Sequence, residues 1–141
     1  MLIWLILVPV IAAACIGLLK TPGRLTALVS AACSLLVGMY AVLAPESCSE
    51  CLSTFCGTPV QLTLGLPLSR IMVLLSILVT FAAVVGMKAP HADAERSWAI
   101  SALLISTGAI GAFMSDNIIA FYGFHELALI PTFIMIGCYG R

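Results

Sequence analysis

Residues 117–138 read NIIAFYGFHELALIPTFIMIGC, and this stretch decides the fold class of the chain. A helix that spans a bilayer needs about 20 mostly apolar residues. Four other stretches are comparably long and apolar: residues 2–19, 25–44, 66–87 and 97–114. Their apolar residues are continuous and do not alternate with polar ones, which disfavours the strands of a membrane barrel. The sequence therefore predicts an all-α, polytopic membrane protein with about five transmembrane helices in a single domain, residues 1–141.

The composition agrees with a membrane location. Of the 141 residues, 62% are hydrophobic and 9% are charged, and the mean hydropathy is +1.21. Soluble domains are about half apolar and about a quarter charged, and a soluble chain of this length could not bury so much apolar surface. The formal net charge is zero and the basic residues are scattered, which excludes the basic patch that nucleic-acid binding requires. The lipid bilayer is the predicted environment.

The distribution of Lys and Arg predicts the orientation. When the loops are assigned alternately to the two sides of the membrane, one side carries Lys20, Arg24, Lys88, Arg96 and Arg141. The other side carries only Arg70. The positive-inside rule places the side with more cations in the cytoplasm. We expect a multi-pass protein of the cell inner (plasma) membrane with its N-terminus outside, loops 20–24 and 88–96 in the cytoplasm, and the link 45–65 outside.

Glu126 is the residue most indicative of function. It lies near the middle of the fifth apolar stretch, where a carboxylate costs about 2.5–3.5 kcal/mol on insertion scales. Burial favours the neutral, protonated form of such a group. An acid at this depth therefore indicates proton exchange. The alternative is a protonated glutamic acid that only hydrogen-bonds a neighbouring helix and holds the bundle together.

Three residues near Glu126 are candidates for supporting roles. Tyr122 precedes His125 by three residues and Glu126 by four, so its hydroxyl can reach either side chain and form a short proton relay. His125 could equally serve only to bond a neighbouring helix. Pro131 has no N–H, so the carbonyl of Leu127 loses its helical donor. The predicted kink has two interpretations. It would open a water path beside Glu126, or it would serve only to pack the helix against its neighbours.

The fifth stretch resembles one helix of a known family. Phe121-Tyr122, Glu126, Leu129-Ile130-Pro131 and Ile136-Gly137 followed by Gly140 match, in order, the fifth helix of the M-type antiporter-like subunit of NADH:quinone oxidoreductase (respiratory complex I). Residues 66–69, Leu-Pro-Leu-Ser, resemble the start of the family's third helix more weakly. Two features depart from the family: His125 stands where Phe is commoner, and the link 45–65 is rich in cysteine.

The resemblance implies a function and a larger architecture. It implies a proton-translocating subunit that couples quinone reduction to proton transport and takes part in the enzyme's reaction without a redox centre of its own. NADH, quinone, flavin and iron–sulfur clusters would be bound elsewhere in the complex, and the partners would be its other membrane subunits. The family has a roughly fourteen-helix fold, so we expect this chain to be its N-terminal portion and to continue past Arg141. In the family the glutamate at the position of Glu126 pairs with a lysine two helices on.

Three other functions stay open at this point. The chain would belong to a Mrp-type cation/proton antiporter, to a membrane-bound hydrogenase, or to a non-catalytic membrane assembly subunit. Cation gradients formed without a redox enzyme would indicate the antiporter. An effect of Glu126 substitution on transport would exclude the assembly subunit.

The remaining polar and small residues give structural expectations. Arg70 is predicted to reach the lipid headgroups, and Gly108 and Gly111 are predicted to let a neighbouring helix approach closely. Ser115 or Asp116 is expected to cap the fifth helix. Three cysteines lie in the link 45–65: Cys48, Cys51 and Cys56. A disulfide between Cys51 and Cys56, free thiols and a metal site all stay open for them.

Overall fold

The computed structural model describes residues 2–19, 23–43, 49–55, 58–87 and 92–139. Within these ranges the chain forms five helices and one two-stranded hairpin. The helices are α1 (Leu2–Leu19), α2 (Gly23–Leu43), α3 (Pro67–Gly86), α4 (Ala92–Met114) and α5 (Ile118–Tyr139), and the strands are β1 (Ser49–Phe55) and β2 (Thr58–Thr63). The fold is a helical membrane bundle, as the apolar stretches predict.

Four of the helices are long and apolar enough to cross a membrane, namely α2, α3, α4 and α5. The first helix, α1, is also apolar and is shorter, with 18 residues. Large apolar side chains such as Leu18, Ile118 and Phe133 are exposed on the bundle, as expected for helices whose solvent is lipid. The prediction of a polytopic helical bundle is therefore confirmed.

The fourth helix begins earlier than the sequence predicts. It starts at Ala92 and not at residue 97, so part of the predicted loop 88–96 is helical. Asp93 and Glu95 lie in its first turn, where the positive end of the helix dipole favours acids. Arg96 adds an ion pair of 3.1 Å with Asp93, and Glu95 accepts a hydrogen bond of 2.9 Å from the backbone N–H of Arg24 at the start of α2.

The predicted link 45–65 contains an antiparallel hairpin that the sequence analysis did not identify. Pairing runs from Ser49 with Thr63 to Phe55 with Thr58, with a register shift between Cys51 and Ser53. Val60, Leu62 and Leu64 alternate along the chain and are buried, as the two-residue period of a strand requires. This alternation was the signal in the sequence. Because these three side chains point to the same side, they bury one face of the hairpin against the helices and stabilise it.

The bundle interior contains two separate hydrophobic clusters. The hairpin-side cluster joins the hairpin to the adjacent ends of the helices: Leu2, Leu5, Ala41, Leu62, Leu64, Val73, Ile77, Ile110 and Met114. The distal cluster fills the other end: Ala12, Ala13, Ile16, Ala27, Val84, Met87, Ala99 and Leu103. Both clusters take residues from α1, α2, α3 and α4, so these four helices form one packed unit.

Gly108 and Gly111 bring α5 against α4, which confirms their predicted role in close packing. A Cβ atom on Gly108 would lie 2.6 Å from the carbonyl oxygen of Phe124 and 2.7 Å from the backbone nitrogen of Ala128. A Cβ atom on Gly111 would meet the ring of Phe124. Only glycine leaves room for this approach, because a side chain at either position would overlap α5.

Arg70 bonds to main-chain carbonyls, and its predicted reach to the lipid headgroups stays a prediction. Its Nε donates to the carbonyl oxygen of Leu64 at 2.8 Å, and its Nη1 donates to that of Val42 at 3.5 Å. The guanidinium thus joins the end of the hairpin to the last turn of α2. Cations are favourable at a helix C-terminus, where carbonyl groups lack helical donors. The protein's own main chain therefore supplies hydrogen-bond acceptors to this cation.

We expect Arg70→Gln to lower the free energy of unfolding by about 1–3 kcal/mol, because hydrogen bonds from a charged donor contribute about that much. Arg70→Lys, which retains the charge without the planar fork, should lose less. Reversible unfolding in mixed detergent micelles measures both variants. The matched control is Arg96→Gln, since the partner Asp93 is 95% exposed and such pairs contribute about 0–1 kcal/mol. If Arg70→Gln and Arg96→Gln lower the free energy of unfolding equally, the main-chain hydrogen bonds of Arg70 do not stabilise the fold as we expect.

Candidate functional site

The candidate site lies on the face of α5 that points away from α4. Phe124 and Ala128 contact α4 through Gly108, and Pro131, one turn further along, is buried. Glu126 is two residues from both Phe124 and Ala128. At about 100° per residue, its side chain therefore leaves the helix on roughly the opposite side. The carboxylate does not point into the α1–α4 unit.

Glu126 lies in the middle part of α5, and its depth in the membrane stays a prediction. The residue is eight positions beyond Ile118, the first residue of α5, which places it roughly 12 Å along the helix at 1.5 Å per residue. The apolar core of a bilayer is about 30 Å thick. Gly108 of α4 lies against Phe124 and Ala128, so the middle of α5 is level with this part of α4.

Tyr122 and Glu126 lie on the same face of α5. They are four residues, about one helical turn, apart, so the Tyr122 hydroxyl can approach the Glu126 carboxylate. Around them the same face of α5 exposes large apolar side chains: Ile119, Ile130 and Phe133. Among the described residues, α5 packs against α4, and this face is left uncovered. An acid with a neighbouring tyrosine therefore lies in a broad apolar surface.

His125 takes a different direction. Its imidazole stacks on the ring of Phe121, with centroids 6.1 Å apart and planes inclined by 17°. The side chain is exposed and leaves α5 about 100° away from Glu126. Tyr122 therefore shares a face of α5 with Glu126, whereas His125 contacts Phe121. A proton relay through His125 stays a prediction. It would need a proton donor or acceptor near the imidazole, which in the structure stacks on Phe121.

Pro131 is inside a helix that continues through it. The α5 helix runs from Ile118 to Tyr139, and Thr132 next to the proline donates to the carbonyl oxygen of Ala128 at 2.7 Å. The carbonyl of Leu127 has no helical donor because Pro131 lacks an N–H. The residue after Glu126 therefore has a carbonyl oxygen that lacks its usual helical donor. The kink and the water path stay predictions.

The start of α5 is held by a group that the sequence analysis did not select. The side chain of Asn117 accepts a hydrogen bond of 2.9 Å from the N–H of Ile119, which is the capping role predicted for Ser115 or Asp116. That prediction is wrong, because the Ser115 hydroxyl donates back to the carbonyl of Gly111 at 2.7 Å. Asn and Asp are equally good caps, so sequence alone does not choose between neighbours.

The hairpin also contributes to the position of α5. The backbone N–H of Asp116 donates to the carbonyl oxygen of Gln61 at 3.1 Å, and Leu62 forms a bridge with Ser115. The turn between α4 and α5 is therefore bonded to β2. Through this turn, the hairpin sets where α5 begins and hence where Tyr122 and Glu126 lie.

The cysteine predictions are only partly addressed. Cys15, Cys33 and Cys51 are free thiols, and Cys51 is exposed. Cys48 and Cys56 lie outside the described residues. Lys20, Lys88 and Arg141, on which the predicted orientation depends, lie outside them as well.

The chain is similar to part of a solved respiratory complex. Over 96% of its length it aligns with a chain in the structure of the membrane-bound sulfane sulfur reductase, an archaeal respiratory membrane complex, with a TM-score of 0.77 and 26% sequence identity. The alignment covers 22% of that chain, so the protein spans about a fifth of the length of this neighbour. No family model and no curated protein matches the sequence.

Proposed function

We propose that the chain is part of a membrane subunit of an energy-conserving respiratory complex, and that Glu126 transfers protons in it. The observation that carries the proposal is the position of Glu126, one helical turn from Tyr122 in the middle part of α5, on the face that the described residues leave uncovered. A carboxylate facing lipid is costly. This face therefore requires a polar partner or a wet cavity, which a further part of a membrane complex would provide.

The similarity to the archaeal complex supports membership of a respiratory assembly. It extends over nearly the whole chain, whereas the motif resemblance is concentrated in α5. Both favour a subunit of an electron-transfer complex over a free-standing antiporter. The finer proposal is the M-type role, in which quinone reduction by NADH drives proton transport and flavin and iron–sulfur clusters are bound by other subunits. The chemistry of Glu126 does not depend on which electron donor or acceptor the complex uses.

The proposal can be tested by isolating the full-length protein from its native membrane through an affinity tag. We expect redox subunits with iron–sulfur clusters to copurify. In proteoliposomes, the isolated complex should acidify the lumen when an electron donor and acceptor are added, and a protonophore should abolish the pH gradient. Isolation without redox subunits, together with cation/proton exchange that needs no electron donor, would instead establish a Mrp-type antiporter.

Tyr122→Phe should reduce the rate of proton transport by roughly tenfold. The substitution removes the hydroxyl that reaches the Glu126 carboxylate, and a hydrogen bond to a charged group contributes about 1.5–3 kcal/mol. The apolar body of the ring is retained, so assembly should be unaffected. The matched control is His125→Phe, which keeps an aromatic ring for Phe121 to stack on. If His125→Phe impairs transport and Tyr122→Phe does not, the relay runs through His125 and the assigned pair is wrong.

A further inference from the structure

Two buried serines on α2 lack the hydrogen bond that other hydroxyls in this bundle make. Five hydroxyls donate to the carbonyl oxygen four residues earlier at 2.7–2.9 Å: Ser76, Thr80, Thr107, Ser115 and Thr132. Ser30 and Ser34 are 4% and 5% exposed, and neither Oγ atom has a hydrogen-bond partner within the described part of the chain. Four residues apart on one helix, they face the same way.

These serines lie in the gap between the two hydrophobic clusters. On α2, the distal cluster includes Ala27 and the hairpin-side cluster includes Ala41. On α4, the corresponding members are Leu103 and Ile110. Between them α2 buries Ser30 and Ser34, and α4 buries Ser106 and Thr107. We call this level the middle layer: Pro9, Ser30, Ser34, Ser106 and Thr107.

Pro9 adds a free acceptor to the middle layer. It is buried inside α1, between Leu5 of the hairpin-side cluster and Ala12 of the distal cluster. Because proline has no N–H, the carbonyl of Leu5 loses its helical donor. The middle layer therefore combines two unpartnered hydroxyl groups with a carbonyl oxygen that lacks its usual bond.

The chemistry of the middle layer selects a small neutral ligand. A buried hydroxyl without a partner is unfavourable, and a buried water relieves this by making about three hydrogen bonds. The layer contains hydroxyl groups, a proline and main-chain carbonyls but no charged side chain. Divalent cations generally require carboxylate ligands, so water fits this donor set and a divalent metal ion does not.

We propose that the middle layer is a hydration site, where buried water bridges the hydroxyls of Ser30 and Ser34 to polar groups of α1 and α4. The site is separate from the proton-transfer group, because Glu126 leaves α5 on the side away from α4. The middle layer and Glu126 are nevertheless at a similar height along the helices. Thr107 adjoins Gly108, and Gly108 contacts α5 at Phe124 and Ala128, on either side of Glu126 in sequence. The protein would thus contain a wet layer inside its first four helices.

A cryo-electron microscopy map of the full-length protein in its complex, at a resolution that shows ordered water, tests the proposal. We expect water density about 2.7–3.0 Å from the Oγ atom of Ser30 or Ser34. Ordered water at the membrane surface is the internal standard for the map. If both hydroxyls instead donate to the carbonyls of Thr26 and Ser30, and no density lies between the helices, the proposal is overturned.

The double variant Ser30→Ala/Ser34→Ala provides a second test. The expected change in the midpoint of thermal unfolding differs between a hydrated and a dry site. If the site is hydrated, removing both hydroxyls displaces the water and leaves the Leu5 carbonyl unbonded, so the midpoint of thermal unfolding should fall. If the site is dry, the variant removes two unsatisfied groups, so the midpoint should stay or rise, which would overturn the proposal. Ser76→Ala is the matched control, because its hydroxyl already bonds the carbonyl of Met72.

Discussion

Replacement of Glu126 by Gln in the intact complex is expected to lower the rate of electron-transfer-driven proton transport by a factor on the order of 10². A positioned group that gives and takes a proton contributes about 10²–10⁴ to a rate, and an amide cannot exchange its protons in this way. Gln has nearly the same shape as Glu and can still bond Tyr122. The loss should therefore come without a loss of assembly, which copurification of the redox subunits would verify.

Asp116→Asn is the matched control for that experiment. It makes the same carboxylate-to-amide change in the turn just before α5, where Asp116 is exposed and its backbone bond to Gln61 is retained. Transport should stay at the wild-type rate in this variant. Glu126→Asp should recover part of the activity, because a carboxylate is restored about one methylene further from Tyr122. Undiminished transport in Glu126→Gln would remove Glu126 from the mechanism and would favour its role as a structural hydrogen-bonding group.

Gly108→Ala is expected to destabilise the contact between α4 and α5. The added methyl would lie 2.6–2.8 Å from three atoms of α5, two of which belong to the backbone. Backbone atoms cannot rotate away, so α5 has to move as a whole, and overpacking of this kind costs about 1–3 kcal/mol. The movement would shift Glu126 relative to the rest of the membrane domain. We expect a lower midpoint of thermal unfolding and slower proton transport together.

Two comparisons separate overlap from a general effect of alanine. Gly86→Ala should be neutral or stabilising, because nothing lies within 4 Å of its added methyl and alanine is the better helix former by about 1 kcal/mol. Gly111→Ala overlaps the ring of Phe124 and not the backbone. The double variant Gly111→Ala/Phe124→Leu should therefore recover stability, while Gly108→Ala/Phe124→Leu should not. Recovery in both would show that the α4–α5 contact is less rigid than the glycine packing indicates.

The sequence by itself determined the membrane character, the helices and the position of the acid. Continuous apolar runs of spanning length can only form helices in lipid, because every backbone donor and acceptor must be bonded within the segment. The depth of Glu126 follows from counting residues along α5, and the position of Tyr122 beside it follows from the helical repeat. Close packing at Gly108 follows from the absence of a side chain. These inferences depend only on local periodicity and length.

Tertiary structure alone decided which groups meet across the chain. The face of α5 that turns away from α4 is set by the Gly108 contact with Phe124 and Ala128, and no periodicity in α5 marks it, since the helix is apolar all round. Arg70 reaches Leu64 and Val42 because three separate elements converge there. The two hydrophobic clusters, and the polar layer around Ser30 and Ser34 between them, arise from how four helices align in depth. Such alignments depend on contacts between residues that are distant in sequence, which is why local patterns do not reveal them.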